Sequence, residues 1–171
     1  MKKLSLFFPI ITIILFTGCS LGIEDKCMHK RCYKEGEKAP LWICKAKIDG
    51  MVVAVGSAET TPVGIGFQRQ EAMMKVREKL SAKIKNSVKQ QLLEAGIVVE
   101  DSAFVSVRSE RPLESLLRNK VRGLKEWVSR KGTIYFMGGI SKGNYKLVVD
   151  QLIKKKLSRS RADYNKFYKK K

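Results

Sequence analysis

The side chains with the most reactive chemistry in this chain are four thiols and one imidazole, at Cys19, Cys27, Cys32, Cys44 and His29. Close cysteines form disulfides outside the cytoplasm, and cysteine grouped with histidine binds zinc at defined spacings. Between Cys27 and Cys32 stand Lys30 and Arg31, whose charges would crowd a cation, and the spacing matches no zinc signature. We therefore expect no metal site, and in an exported chain we expect a disulfide between Cys27 and Cys32.

The residue patterns that support catalysis are weak. A single histidine removes most designs that use imidazole as a general base, including a serine nucleophile paired with histidine. The carboxylates of Asp49, Glu100 and Asp101 lie in predicted loops and have no visible partner for acid–base catalysis. Residues 138–144 resemble a phosphate-binding loop, but the required lysine and hydroxyl residue do not follow its final glycine. The sequence predicts a protein that is not an enzyme and has no cofactor.

The N-terminus has the pattern of an export signal. Lys2 and Lys3 precede an uncharged apolar run, residues 4–16, which is shorter than the roughly 20 residues that a membrane-spanning helix needs. The run ends in Leu15-Phe16-Thr17-Gly18-Cys19, which resembles a lipobox, the motif at which a lipoprotein peptidase cuts before a lipid-bearing cysteine. Residues 1–18 are therefore predicted to be a lipoprotein signal peptide.

Cys19 is the predicted lipid anchor. Two or three acyl chains on one residue hold a protein on a membrane almost irreversibly. Ser20 follows the cysteine, and bacterial lipoproteins without Asp at this place are typically sent to the outer membrane. We expect contact with the membrane through the lipid on Cys19. Whether the domain faces the periplasm or the outside stays open.

Residues 19–39 are predicted to be a lipidated, flexible tether, because they carry charges of both signs and little apolar content. Twenty flexible residues typically span about 25 Å. Cys44 follows this segment and leaves three alternatives open. It can pair with a tether cysteine, pair between molecules, or lie buried as a small apolar residue.

The charge of the chain is concentrated at its C-terminal end. The whole chain has a formal net charge of +19, of which +8 belongs to residues 151–171. The candidate anion-binding residues there are Lys154, Lys155, Lys156, Arg159, Arg161, Lys166, Lys169, Lys170 and Lys171. An excess of positive charge favours contact with polyanions, and export makes anionic envelope polymers the relevant ones rather than nucleic acid. The alternative is that these lysines are ordinary solvated surface.

The apolar pattern between residues 40 and 157 predicts alternating strands and helices. Residues 51–55 predict a buried strand, and apolar residues at steps of three and four predict a long helix over residues 67–95 that stops at Gly96. Residues 103–107 predict a second strand, and residues 112–128 a second helix that ends at Gly132. A third strand is predicted over residues 133–137 and a last helix from Asn144.

This order of elements fits two arrangements. Crossover helices would give a parallel sheet, whereas three short strands under one long helix suit an α+β layer. We expect an α+β domain over residues 40–150, with a small three-stranded sheet, antiparallel or mixed, packed against the long helix. Residues 151–171 are expected to form a basic C-terminal helix or tail.

Three segments carry a resemblance to a known family. Residues 40–43, Pro-Leu-Trp-Ile, precede Val53-Ala54-Val55-Gly56-Ser57-Ala58 and then the helical segment Lys79-Leu80-Ser81-Ala82-Lys83-Ile84. With the lipobox and the later strand Gly132-Thr133-Ile134-Tyr135-Phe136, this order resembles the Lpp-twenty family of small bacterial outer-membrane lipoproteins. The resemblance implies a non-enzymatic lipoprotein with a long helix on an antiparallel sheet, and some members are flagellar ring or disk components.

The sequence and the resemblance together predict a lipid-anchored outer-membrane lipoprotein that is a structural or assembly component of the envelope. Homo-oligomers, envelope proteins and the flagellum are the partners that this prediction implies. The alternative is a surface or periplasmic binding module, similar to an adhesin, whose basic C-terminal helix contacts anionic glycans or lipopolysaccharide.

Overall fold

The computed structural model describes residues 31–98, 107–158, 165, 167 and 168, which contain short strands and helices of very unequal length. The strands are β1 (Cys32–Lys34), β2 (Glu37–Ala39), β3 (Met51–Ala58), β4 (Arg122–Val128) and β5 (Ile134–Ser141). The helices are α1 (Leu41–Cys44), α2 (Ile65–Glu94), α3 (Val107–Lys120) and α4 (Lys142–Leu157).

The main sheet has three antiparallel strands in the order β3-β5-β4. β5 is central and pairs along its whole length with β3, from Ile134 opposite Ala58 to Ser141 opposite Met51. A second sheet consists only of the β1–β2 hairpin. The α+β prediction is therefore confirmed, and of its two options for the sheet the antiparallel one is correct.

The long helix α2 packs along one face of the sheet. Its inward residues recur every four positions and are fully buried, namely Ala72, Val76, Leu80, Ile84, Val88 and Leu92. At 30 residues the helix is about 45 Å long, so it extends well past a sheet whose strands have eight residues or fewer. Gly96 follows its C-terminus with φ +73°, the left-handed conformation of a helix stop. The prediction of a helix over 67–95 ended by Gly96 is confirmed within two residues.

The part of α2 that extends past the sheet packs against α3 and α4 at one end of the molecule. α3 contributes the buried Leu113 and Leu117, and α4 contributes Val148, Val149, Ile153 and Leu157. Phe167 is buried in the same cluster. α4 begins where its N-cap residue, Ser141, accepts a hydrogen bond from the amide of Asn144 at 3.2 Å. The predicted last helix is confirmed over the described part and begins two residues earlier, at Lys142.

The predicted helix over residues 112–128 is wrong in its second half. α3 ends at Lys120, and residues 122–128 form the edge strand β4. Apolar residues at Val121, Leu124 and Trp127 keep a helical spacing, but Gly123 lowers the helix propensity of the segment and β5 offers it a pairing partner. Gly132, predicted to end that helix, has φ +83° in the turn between β4 and β5. The predicted strand at 103–107 lies outside the described residues except for Val107, which begins α3.

Candidate functional site

The second face of the sheet is covered by the segment that follows the predicted tether cysteine Cys27. Residues 32–44, here called the lid, comprise the β1–β2 hairpin and the short helix α1. The lid buries Cys32, Ala39 and Ile43 against Tyr135, and the partly buried side chains around them are Trp42, Val55 and Trp127. Trp127 and Tyr135 pack with their ring centroids 5.4 Å apart. The prediction of a flexible tether over 19–39 is therefore wrong for residues 32–39, which are part of the folded domain.

A disulfide between Cys32 and Cys44 closes the lid. The hairpin places Cys32 opposite Ala39, and α1 then turns the chain back so that the Cα atoms of Cys32 and Cys44 are 5.7 Å apart. The predicted Cys27–Cys32 disulfide is wrong, because the Cys32 sulfur is already bonded to Cys44. Of the three alternatives for Cys44, pairing with a tether cysteine is the correct one. Cys27 lies outside the described residues.

A carboxylate at the tip of the hairpin fixes the lid to the turn between β4 and β5. Glu35 has a left-handed backbone, with φ +54°, and its carboxylate accepts hydrogen bonds from the Ser129 hydroxyl at 2.7 Å and from the Tyr135 hydroxyl at 3.1 Å. The hydrogen bond from Ser129 is the main cause that holds the pKa of Glu35 below its ordinary value. Glu37 accepts a hydrogen bond from the Arg130 amide at 2.6 Å. We call these contacts the Glu35 latch.

The latch predicts a pH-dependent stability. Because the pKa of Glu35 is lower in the folded chain, its stabilising effect is present above the ordinary carboxyl value of 4.5 and is lost as the pH falls through the lowered pKa. Glu35→Gln should therefore unfold at a lower temperature than the parent at neutral pH, and the difference should shrink in acid. Thermal unfolding followed by tryptophan fluorescence measures both. The control is Glu94→Gln, at the C-terminal end of α2. If Glu35→Gln lowered the unfolding temperature equally at both pH values, this result would contradict the latch.

The predicted anchor, Cys19, lies outside the described residues, and twelve residues separate it from Cys32. Of the nine candidate anion-binding residues, the structure describes three, Lys154, Lys155 and Lys156, in the last turn of α4. Cations at that position interact favourably with the negative end of the helix dipole, which is a sufficient structural reason for them. Arg159, Arg161, Lys166, Lys169, Lys170 and Lys171 lie outside the described residues.

The described residues contain few arrangements suited to chemistry. No group of three His, Cys, Asp or Glu side chains among them is placed to hold a metal ion. Within the same ranges, no helix has the length and apolar character needed to cross a bilayer.

A groove of about 320 Å³ between α2 and α3 is lined by charges of both signs, including Arg77, Glu78 and Glu114. The rejected phosphate loop begins inside β5, where Gly138 and Gly139 are buried strand residues.

No protein-family model and no curated protein matches this chain. The resemblance to the Lpp-twenty lipoproteins therefore stays a prediction. The lid was not predicted from the sequence, although Glu35-Gly36, between the segments that form β1 and β2, is typical of a turn. Nor were Ser129 and Tyr135 predicted as latch partners, because only the pairing of β4 with β5 brings them to the hairpin.

Proposed function

We propose that the protein is a lipid-anchored outer-membrane lipoprotein whose domain is a structural or assembly component of the envelope. The observation that carries the proposal is the lipobox-like Leu15-Phe16-Thr17-Gly18-Cys19 at the end of an export signal. Association with the flagellum, and the alternative of a module that binds anionic glycans or lipopolysaccharide, stay predictions.

The way in which the lid is fastened supports a role as an anchored, load-bearing domain. Tension on a lipid at Cys19 would reach the described part of the domain at β1. The Cys32–Cys44 disulfide and the Glu35 latch are both located there. The disulfide and the hydrogen-bonded carboxylate would keep β1 attached to the rest of the domain under tension.

The edges of the sheet favour assembly through side-chain surfaces rather than through added strands. On β3, the Lys79 and Lys83 amines donate hydrogen bonds to the carbonyls of Val55 and Val53 at 2.6 and 2.7 Å. On the opposite edge, β4 exposes Arg122, Lys125 and Glu126. Charged residues on edge strands oppose pairing with a further strand. We therefore expect a homo-oligomer or an envelope partner, where one forms, to leave both edges unpaired.

The anchor proposal is tested by Cys19→Ala in cells supplied with labelled palmitate. The variant should lose the label and keep its signal peptide, because the thiol that receives the lipid is gone. Gel mobility and recovered label measure both effects. Cys27→Ala is the matched control and should be labelled like the parent. A Cys19→Ala chain that still takes up palmitate would disprove the proposal.

A further inference from the structure

One end of the sheet exposes a group of apolar side chains. Val63, Ile65 and Phe67, at the start of α2, are 72, 53 and 50% exposed. Single exposed apolar residues are ordinary on a protein surface, but here three occur within five positions. We call residues 63–67 the apolar tip.

Two glycines and a loop hydrogen bond shape the backbone of the apolar tip. Gly64 is the N-cap of α2 with φ +102°, and the Val63 amide donates a hydrogen bond to the Thr61 hydroxyl at 3.0 Å. A Cβ atom built on Gly64 or Gly66 would meet no described atom within 4 Å. The surface around both glycines is therefore open, and at least half of each of the three apolar residues is exposed. Val128, at the end of β4, adds a further exposed side chain at the same end of the sheet.

Two pairs of oppositely charged residues lie near the tip. Arg69 forms a two-pronged salt bridge with Glu126, with N–O distances of 2.9 Å. Arg130 lies 3.4 Å from Glu37. Each pair is electrically neutral, so these four side chains add no net charge beside the tip, which favours an apolar or interfacial partner over a charged polymer.

The predicted anchor keeps the tip close to a membrane. The hairpin turn at Glu35 is bonded to Ser129, and the Thr60 hydroxyl is bonded to the Lys131 carbonyl at 3.2 Å, so the lid, this turn and the tip loop are neighbours. Cys32 is about 10 Å along its strand from the hairpin turn at Glu35. Thirteen peptide steps lead from Cys19 to Cys32, and a chain of that length reaches at most about 45 Å. These two lengths are enough to bring the tip to the lipid surface.

We propose that the apolar tip rests in the interfacial layer of the bilayer that carries the Cys19 lipid. This inference rests on the proposed anchor. In this arrangement the domain stands end-on, with the sheet near the membrane and the helical end away from it. Tethering makes such a contact intramolecular, so a small apolar patch of low intrinsic affinity is sufficient.

The test uses the full, lipidated chain reconstituted in vesicles of phosphatidylcholine and phosphatidylglycerol whose acyl chains are brominated near the headgroup. Ile65→Trp places a fluorophore on the tip, and Leu93→Trp replaces a leucine that is 60% exposed at the far end of α2. The parent, with Trp42 and Trp127, supplies the background. Bromine should quench the added tryptophan of Ile65→Trp by at least about a factor of two more than that of Leu93→Trp, since only the tip would enter the interface.

The outcomes separate the tip from the anchor. Equal quenching of the two added tryptophans, with both variants still floating with the vesicles, would overturn the tip contact and leave the anchor intact. Chains that do not float would refute the anchor itself. A blue shift of the Ile65→Trp emission that grows with protein density and ignores bromine would assign the tip to contact with a second copy, and would also overturn the proposal.

Discussion

Gly56→Ala is expected to lower the free energy of unfolding by about 3 kcal/mol, at the upper end of what overpacking typically costs. A Cβ atom at this position would contact the Ala72 carbonyl oxygen and would lie 2.9 Å from the Val76 amide nitrogen. Both are backbone atoms of α2, so no side chain can rotate away to relieve the overlap. The variant must move the long helix off the sheet, which weakens the packing of Ala72 and Val76 together.

Chemical denaturation of the parent and the variant measures this effect. Gly66→Ala is the matched control, because the same added methyl group would meet nothing within 4 Å at the start of α2. That control should be neutral or stabilising by up to about 1 kcal/mol, since alanine is the better helix former. If both variants unfold at the denaturant concentration of the parent, α2 does not approach β3 as closely as described.

The parts of the fold that could be predicted are those fixed by local pattern. α2 was predictable because its buried residues keep helical spacing over the whole element and Gly96 supplies the stop. β3 and β5 were predictable because apolar and β-branched residues are concentrated between turn residues. Gly56 was visible as the end of an apolar run. Its real role depends on how near α2 lies, and no local pattern contains that distance.

The parts that could not be predicted depend on partners distant in sequence. Residues 122–128 keep the spacing of a helix, and only pairing with β5 makes them a strand. The sequence of the lid resembles a polar tether because only one side of its hairpin is buried. The residues that bury this side, Tyr135 and Trp127, follow about 90 residues later in the chain. For the candidate site, Cys19 and the basic tail came from motif and composition, whereas the Glu35 latch required the folded sheet.

Breaking the Cys32–Cys44 disulfide is expected to have an effect of similar size. The bond joins residues twelve positions apart, and closing a loop of that length constrains the unfolded chain by about 3 kcal/mol. Cys44→Ser should therefore lower the free energy of unfolding by that order. It should also loosen the lid, so that Tyr135, now 8% exposed, becomes accessible to solvent. Denaturation and tyrosine nitration measure the two effects.

Cys27→Ser is the matched control, since it removes a neighbouring thiol and leaves the Cys32–Cys44 bond in place. It should unfold like the parent. The comparison also decides between the two pairings, because a Cys27–Cys32 bond would make Cys27→Ser the costly change and Cys44→Ser the mild one. Since Cys32 is shared by both schemes, Cys32→Ser alone cannot distinguish them. A destabilised Cys27→Ser next to an unaffected Cys44→Ser would show that Cys32 is paired with Cys27 and that the lid is not closed by a disulfide.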